Sequence, residues 1–321
     1  MSICNWIKVA QYKSSLELIR YSSKLRLRQP SAVAIGKFDG VHLGHQELLR
    51  LLKERSAARG LEPIVCTFAP LPEQFFSRPI VQLINLRTKV RLLACHLIEK
   101  VIVIHFHHSF SSMSAKEFIN RFLIKQLKVA YLITGKDFQF GYDRQGKVDD
   151  LQLAKQKGYF DHEIMEDHIY QKQRISSSLI RQLLSQRQLN QAANYLGEPY
   201  TLYARISKGQ GIGTTKLKTP TANLNLKNFF PCIRGVFACR AFLHNKAYSA
   251  VTNLGVRPTV NGSQPIVETH LLNFNQNILG EELKLQFIEY IREEKKFNSL
   301  EALARQIEQD KQDAFQLLNI S

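Results

Sequence analysis

Two histidines three positions apart, His42 and His45, stand in the most chemically informative stretch of the chain, Gly36-Lys37-Phe38-Asp39-Gly40-Val41-His42-Leu43-Gly44-His45. The apolar run Ala32-Val33-Ala34-Ile35 precedes it, and Leu48, Leu49, Leu51 and Leu52 follow at mixed helical spacing. The segment therefore reads as strand, loop and helix. A helix start exposes unpaired amides and a partial positive charge, which favours phosphate. Gly40 and Gly44 let the main chain approach a ligand closely. Imidazoles there can donate hydrogen bonds to a crowded phosphate in its transition state. The competing reading is a pair of capping or metal-binding histidines, but zinc would want further Cys or His ligands at recognisable spacing, and none is seen. Ser176-Ser177-Ser178 with Arg181 one turn later is a good helix cap, and a serine cap beside a guanidinium also makes an anion site. In the second half Gly209, Gly211 and Gly213 alternate, which by itself reads as a flexible turn.

The elements around these residues alternate. Residues 62–68, 101–106 and 131–135 carry strand signals, and residues 87–99 and 114–128 helical ones. Ser114 with Glu117 forms a capping box. Strands alternating with helices predict a parallel α/β sheet with ligands at the carboxyl ends of its strands. From residue 200 the pattern changes. Short runs at 200–206, 235–243, 248–254, 267–274 and 283–291, with turns between them, predict an antiparallel barrel. Residues 297–318 read as a terminal helix. The expected domains are 1–186 and 187–321, joined through helices around 177–196.

The chain has 321 residues, 44% hydrophobic and 22% charged, which is globular composition and fits two domains. Its net charge is +17, which invites a nucleic-acid reading. The basic residues are spread through both halves and no nucleic-acid motif appears, so that reading is not favoured. The five cysteines show no metal or disulfide spacing. No apolar run is long enough for a transmembrane helix. Lys13, Arg20, Lys24, Arg26 and Arg28 mimic a transit peptide, but Glu17 interrupts them. An N-terminal strand and helix and a cytoplasmic location are expected.

The His-X-Gly-His unit resembles the nucleotidyltransferase superfamily. The longer string Gly-X-Phe-Asp-Gly-Val-His-X-Gly-His is similar to the FAD synthetase module of bacterial bifunctional riboflavin kinase/FAD synthetases. Thr67-Phe68-Ala69-Pro70, Gly135-Lys136-Asp137-Phe138-Gln139-Phe140-Gly141 and Arg174 to Arg181 resemble further family segments in the same order. The usual His-Pro after the first of these is Leu71-Pro72, and Ser178 stands where threonine is usual. The resemblance implies a Rossmann-like fold in which the FMN phosphate attacks the α-phosphate of ATP. It implies His42 and His45 at the transferring phosphate. Gly36, Phe38, Asp39, Gly40, Gly44, Ser177, Ser178 and Arg181 would lie around ATP, and Asp137 and Phe138 at the flavin. Magnesium would screen the triphosphate.

The second half resembles riboflavin kinase at Pro220-Thr221-Ala222-Asn223, at Asn253 to Thr259 and at Val267-Glu268-Thr269-His270-Leu271-Leu272. The resemblance implies Thr221 and Asn223 as ligands of magnesium and ATP phosphate. Their oxygens suit a hard cation, and an Asx-turn is the alternative use. It implies Gly209, Gly211 and Gly213 at ATP, Arg257 at the flavin, and Glu268 as base for the riboflavin 5′-hydroxyl. Lys218-Thr219 replaces the usual Gly-Phe, and Asn273, Asn275 and Asn277 replace acids. The leading expectation is an enzyme converting riboflavin to FMN and FMN to FAD with ATP, with a synthetase lacking kinase activity as the alternative. Riboflavin, FMN, FAD and ATP are the expected partners, without a membrane, and a weak homo-oligomer is allowed.

Overall fold

The structure is a computed structural model that describes residues 16–75, 81–207, 222–226, 229–259 and 262–320. It divides into two compact units, one of residues 1–80 and 90–175, the other of residues 81–89 and 176–321.

The first unit holds a six-stranded, all-parallel sheet in the order β1-β4-β3-β2-β5-β6, with β1 Glu17–Arg20, β2 Ser31–Ile35, β3 Glu62–Phe68, β4 Lys100–Ile104, β5 Val129–Gly135 and β6 Asp161–Met165. Every residue of β2 is buried, as expected of a central strand covered on both faces. Helix α1, Leu43–Ala58, follows β2, α2, Leu86–Cys95, precedes β4, and α3, Val148–Gln156, precedes β6. The strands after β2 run outward on one side, whereas β5 pairs with its other edge. The reversal of order lies between β2 and β5, and the crevice at the carboxyl ends of those strands is where such sheets take ligands. Gly36 and Gly135, which open two of the sequence motifs, sit there.

The expected amphipathic helix over 114–128 takes a different form. Ser114 and Glu117 make the capping box, but Phe118–Gln126 is π-helical, and the Leu127 N–H reaches back to the Phe122 carbonyl at 3.0 Å. This wider turn brings Phe118, Phe122, Leu123 and Gln126 to the buried side. Phe122 meets Phe110 and Tyr21 edge-on, each at 5.4 Å between centroids. The Tyr21 hydroxyl donates to Gln126 at 3.0 Å. Residues 21–30 form no helix, so only the strand half of the N-terminal expectation holds among the described residues.

A two-stranded ribbon, β7 Ile169–Tyr170 and β8 Gln173–Arg174, closes this unit. The second unit opens with α4, Ser177–Ser185, and α5, Leu189–Leu196, which Gly197 ends in a left-handed conformation. Six antiparallel strands close a barrel in the order β10-β13-β12-β11-β14-β9, formed by β9 Thr201–Ser207, β10 Ala222–Asn225, β11 Gly235–Leu243, β12 Lys246–Thr259, β13 Gly262–Leu271 and β14 Glu282–Arg292. Closure removes the exposed edges. Residues 81–89 are held on β9, where Asn85 and Thr88 side chains bond the Tyr203 main chain at 3.1 and 2.8 Å. Terminal helix α6, Leu300–Ile320, packs Ala314 and Leu318 on Val236, Ala238 and Val251. Arg292 clamps buried Asp310 through two bonds of 2.7 and 2.6 Å.

Candidate active sites

The turn from β2 into α1 is held in an unusual backbone. Phe38, Gly40 and Val41 have φ of +46°, +93° and +44°. For Phe and β-branched Val this is a strained region that persists only where the surroundings impose it. Phe38, Asp39 and Val41 are all buried. The Thr67 hydroxyl donates to the Lys37 carbonyl at 3.1 Å, the Gln46 amide donates to the Val41 carbonyl at 2.9 Å, and the Lys37 ammonium pairs with buried Glu73. The turn delivers His42 as the N-cap of α1, where its Nδ1 accepts the His45 N–H at 3.3 Å. The two imidazoles stack with centroids 3.7 Å apart and planes 18° from parallel. Phe38 lies 5.1 Å from the His45 ring.

This geometry settles the state of His42. Burial pushes its pKa down to about 4, and the nearby His168 adds to the lowering. The ring is neutral near pH 7. Because Nδ1 accepts, the proton sits on Nε2, which is a donor. Gly44 is the second residue of α1, and a Cβ there would lie 3.3 Å from the His42 ring. The bare backbone at position 44 leaves room for the imidazole over the helix start.

Asp137 follows the carboxyl end of β5 and pairs with Arg174. Arg174 Nε also reaches Asp167 at 2.8 Å, and Lys136 reaches the other Asp167 oxygen at 2.6 Å. The expected flavin residue is thus part of a four-charge network at the ends of β5 and β6. Phe138 is half-buried, 5.7 Å from Phe140 and 6.4 Å from Phe118. A Cβ on Gly36 would come 3.1 Å from the Phe38 ring. In the second unit the cap of α4 is Ser176, whose hydroxyl accepts the Leu179 N–H at 3.2 Å. Ser177 and Ser178 occupy the first two helical positions, and Arg181 donates to the Ser178 hydroxyl at 3.2 Å.

The barrel supplies a second constellation. Asn223 lies opposite both Ser207 and Glu268, and Glu268 opposite Asn253. Residues directly opposed in a ladder share a face, so Ser207, Asn223, Glu268 and Asn253 form one row across β9, β10, β13 and β12. Their neighbours Thr252 and Thr269 point to the other face, fully buried and joined at 3.1 Å. The Asn253 Oδ1 is buried without a hydrogen-bond partner. A Cβ on Gly255 would overlap the Glu294 carboxylate. Gly209, Gly211, Gly213 and Thr221, with Lys218 and Thr219, lie outside the described residues, as does the Arg257 side chain.

Several of these residues escaped sequence reading. Lys37 and Glu73 are a pair between two motifs, and Arg174 meets Asp137 across 37 positions. His168 belongs to no motif. Asn253 was visible only within a longer string.

Comparisons with known proteins agree with the division into two folds. A family model described as FAD synthetase matches residues 24–179, and one described as riboflavin kinase matches residues 196–318. The chain is 37% identical to a bifunctional riboflavin kinase/FMN adenylyltransferase of Haemophilus influenzae, over 92% of this chain and 96% of the relative. It is 34% identical to the protein so named in Escherichia coli, over 90% and 93%. A crystal structure described as a macrolide-efflux protein from Streptococcus pneumoniae superposes with a TM-score of 0.73 at 28% identity, covering 92% of this chain and 97% of that one. No helix among the described residues is long and apolar enough to cross a membrane.

Proposed function

Since the chain belongs to the bifunctional riboflavin kinase/FMN adenylyltransferase family, we propose that its His42/His45 turn is where FMN is adenylylated and its Asn223/Glu268 row is where riboflavin is phosphorylated. The two reactions are the ATP-dependent conversion of riboflavin to FMN and the transfer of AMP from ATP to FMN with release of pyrophosphate. Residues 1–186 are assigned to the second reaction and residues 187–321 to the first.

The observation that carries the adenylyl-transfer assignment is the stacked, cap-fixed histidine pair at the amino end of α1. An FMN phosphate oxygen attacks the α-phosphorus of ATP, and the bond to the bridging oxygen of pyrophosphate breaks. No protein nucleophile is needed, so the chain positions the groups and stabilises charge. His42 donates from Nε2 to the crowded phosphate, and His45 stacks beside it. Gly36, Phe38, Asp39, Gly40 and Gly44 shape the turn around ATP. Ser177, Ser178 and Arg181 are assigned to the ATP phosphates, and Asp137 and Phe138 to the flavin, where Arg174 holds the Asp137 carboxylate.

In the barrel Glu268 accepts the proton of the riboflavin 5′-hydroxyl as that oxygen takes the γ-phosphoryl group. Gly209, Gly211 and Gly213 are assigned to ATP, and Arg257 to the flavin. Asn223 with Thr221 would hold magnesium, whose oxygen preference fits an amide and a hydroxyl, and which when bound neutralises phosphate charge. We also propose a cytoplasmic location and at most weak self-association. Separation of flavins after incubation with ATP, magnesium and either riboflavin or FMN tests the assignment. His42→Ala should stop FAD formation and spare FMN formation, and Glu268→Gln should do the reverse. If both activities vanish together in a folded variant, the two-site assignment is wrong.

A further inference from the structure

We propose that His168 is a third imidazole of the adenylyl-transfer site, hydrogen-bonding the ATP phosphates beside His42; this rests on the assignment of that site to the His42/His45 turn. β6 pairs with β5 and ends at Met165, so His168 lies at the carboxyl edge of the sheet, next to the point where strand order reverses. Its carbonyl accepts the Ile175 N–H at 3.0 Å, which fixes the main chain where the β7–β8 ribbon begins. The direction a Cβ would take from Gly44 is bounded on one side by the His42 ring at 3.3 Å and on another by the His168 Cβ at 3.5 Å. Two imidazole-bearing residues therefore converge on the first turn of α1, where residue 44 has no side chain.

Two carboxylates near His168 are already paired with other cations. Neighbouring Asp167 has one oxygen on Arg174 and the other on Lys136. Glu47, on α1, is bound by Arg50 through two contacts of 2.9 and 2.8 Å. His168 lies within electrostatic reach of both His42 and Glu47, in keeping with its Cβ beside the first turn of α1. His168 offers a ring N–H to the phosphate chain. No bond is made or broken at His168. It supplies a charge-assisted donor, whose loss costs about tenfold in affinity.

Steady-state FAD formation from FMN at varied ATP tests this, with riboflavin phosphorylation by the same preparation as internal control. His168→Ala should raise the KM for ATP about tenfold with a smaller change in kcat, and His168→Lys should restore most of the loss. An unchanged KM in His168→Ala overturns the inference. So does equal damage in the Ala, Asn and Lys variants, which is the mark of packing alone. His42→Ala separates the two levels. If it still makes FAD, the site assignment itself fails. If it does not, and His168→Ala behaves as wild type, only the role of His168 fails.

Discussion

His162 should make the α/β unit lose stability in mild acid, by an amount the structure allows to be worked out. It is 2% exposed in β6. The Gln152 amide nitrogen lies 3.2 Å from its Nδ1, and the Thr134 hydroxyl 3.0 Å from its Nε2. An amide nitrogen can only donate, so Nδ1 accepts and the single proton sits on Nε2. A second proton has no acceptor at Nδ1 in this buried place. Burial, helped by the charge of Lys155, pushes the pKa from 6.5 down to about 4. The unfolded chain therefore takes up a proton near pH 6.5 and the folded chain only near pH 4. The contribution to stability is complete above the higher value and is lost as pH falls through the window. For such a group the loss between pH 7 and pH 5 is about 2 kcal/mol. His42, depressed to the same value by burial, adds a second loss of about 2 kcal/mol by the same linkage. His162→Gln keeps hydrogen-bonding groups and removes the titration, so it should remove about 2 kcal/mol of the acid sensitivity, leaving the part due to His42 and to His96, which burial also depresses. The assay is a denaturant titration at pH 7 and pH 5, read by pulsed hydrogen exchange on peptides covering β5, which reports this sheet and not the barrel. A variant whose midpoint falls with pH as far as that of the wild type refutes the reasoning.

Gly44→Ala places a methyl group 3.3 Å from the His42 ring and should cut FAD formation by about tenfold or more, the size of a lost transition-state hydrogen bond, while FMN formation continues; equal rates from both substrates relative to wild type would contradict it. Asp310→Ala leaves Arg292 without its partly buried carboxylate, and Gln306 without its 3.0 Å acceptor. It should weaken the docking of α6 by about 3–5 kcal/mol, visible as faster exchange and proteolysis in residues 300–320 with the exchange of β5 unchanged.

The sequence was most legible where local chemistry and tertiary structure agree. β2, β3 and β5 are largely apolar, and their bounds lie close to the expectation because burial on both faces selects such runs. β6 escaped notice because an edge strand carries polar residues such as Asp161 and Glu163. β10 is only Ala-Asn-Leu-Asn, and its alternation was hidden inside a motif read for its oxygens. The capping box at Ser114 was visible because it spans three positions, whereas π-helical closure depends on how Phe118 and Phe122 pack against Phe110 and Phe140. The same distinction governs the site. The spacing of His42 and His45 on one helix start is written in the chain. The approach of His168 and of Arg174 depends on strand order, which brings β6 beside β5, and no local signal carries that.

The row Ser207, Asn223, Glu268 and Asn253 is set in register by main-chain pairing, with each member on a different strand. A substitution at one of these positions therefore leaves the backbone register of its neighbours in place. Insertions and deletions do not. Losing one residue from the middle of β13 would swap the faces of everything beyond it, sending the carboxylate of Glu268 toward the threonine-lined interior and bringing Thr269 out in its place. The barrel is thus intolerant of drift in length along these strands, and lineages of this enzyme should vary in length within its turns and not within β10, β12 or β13.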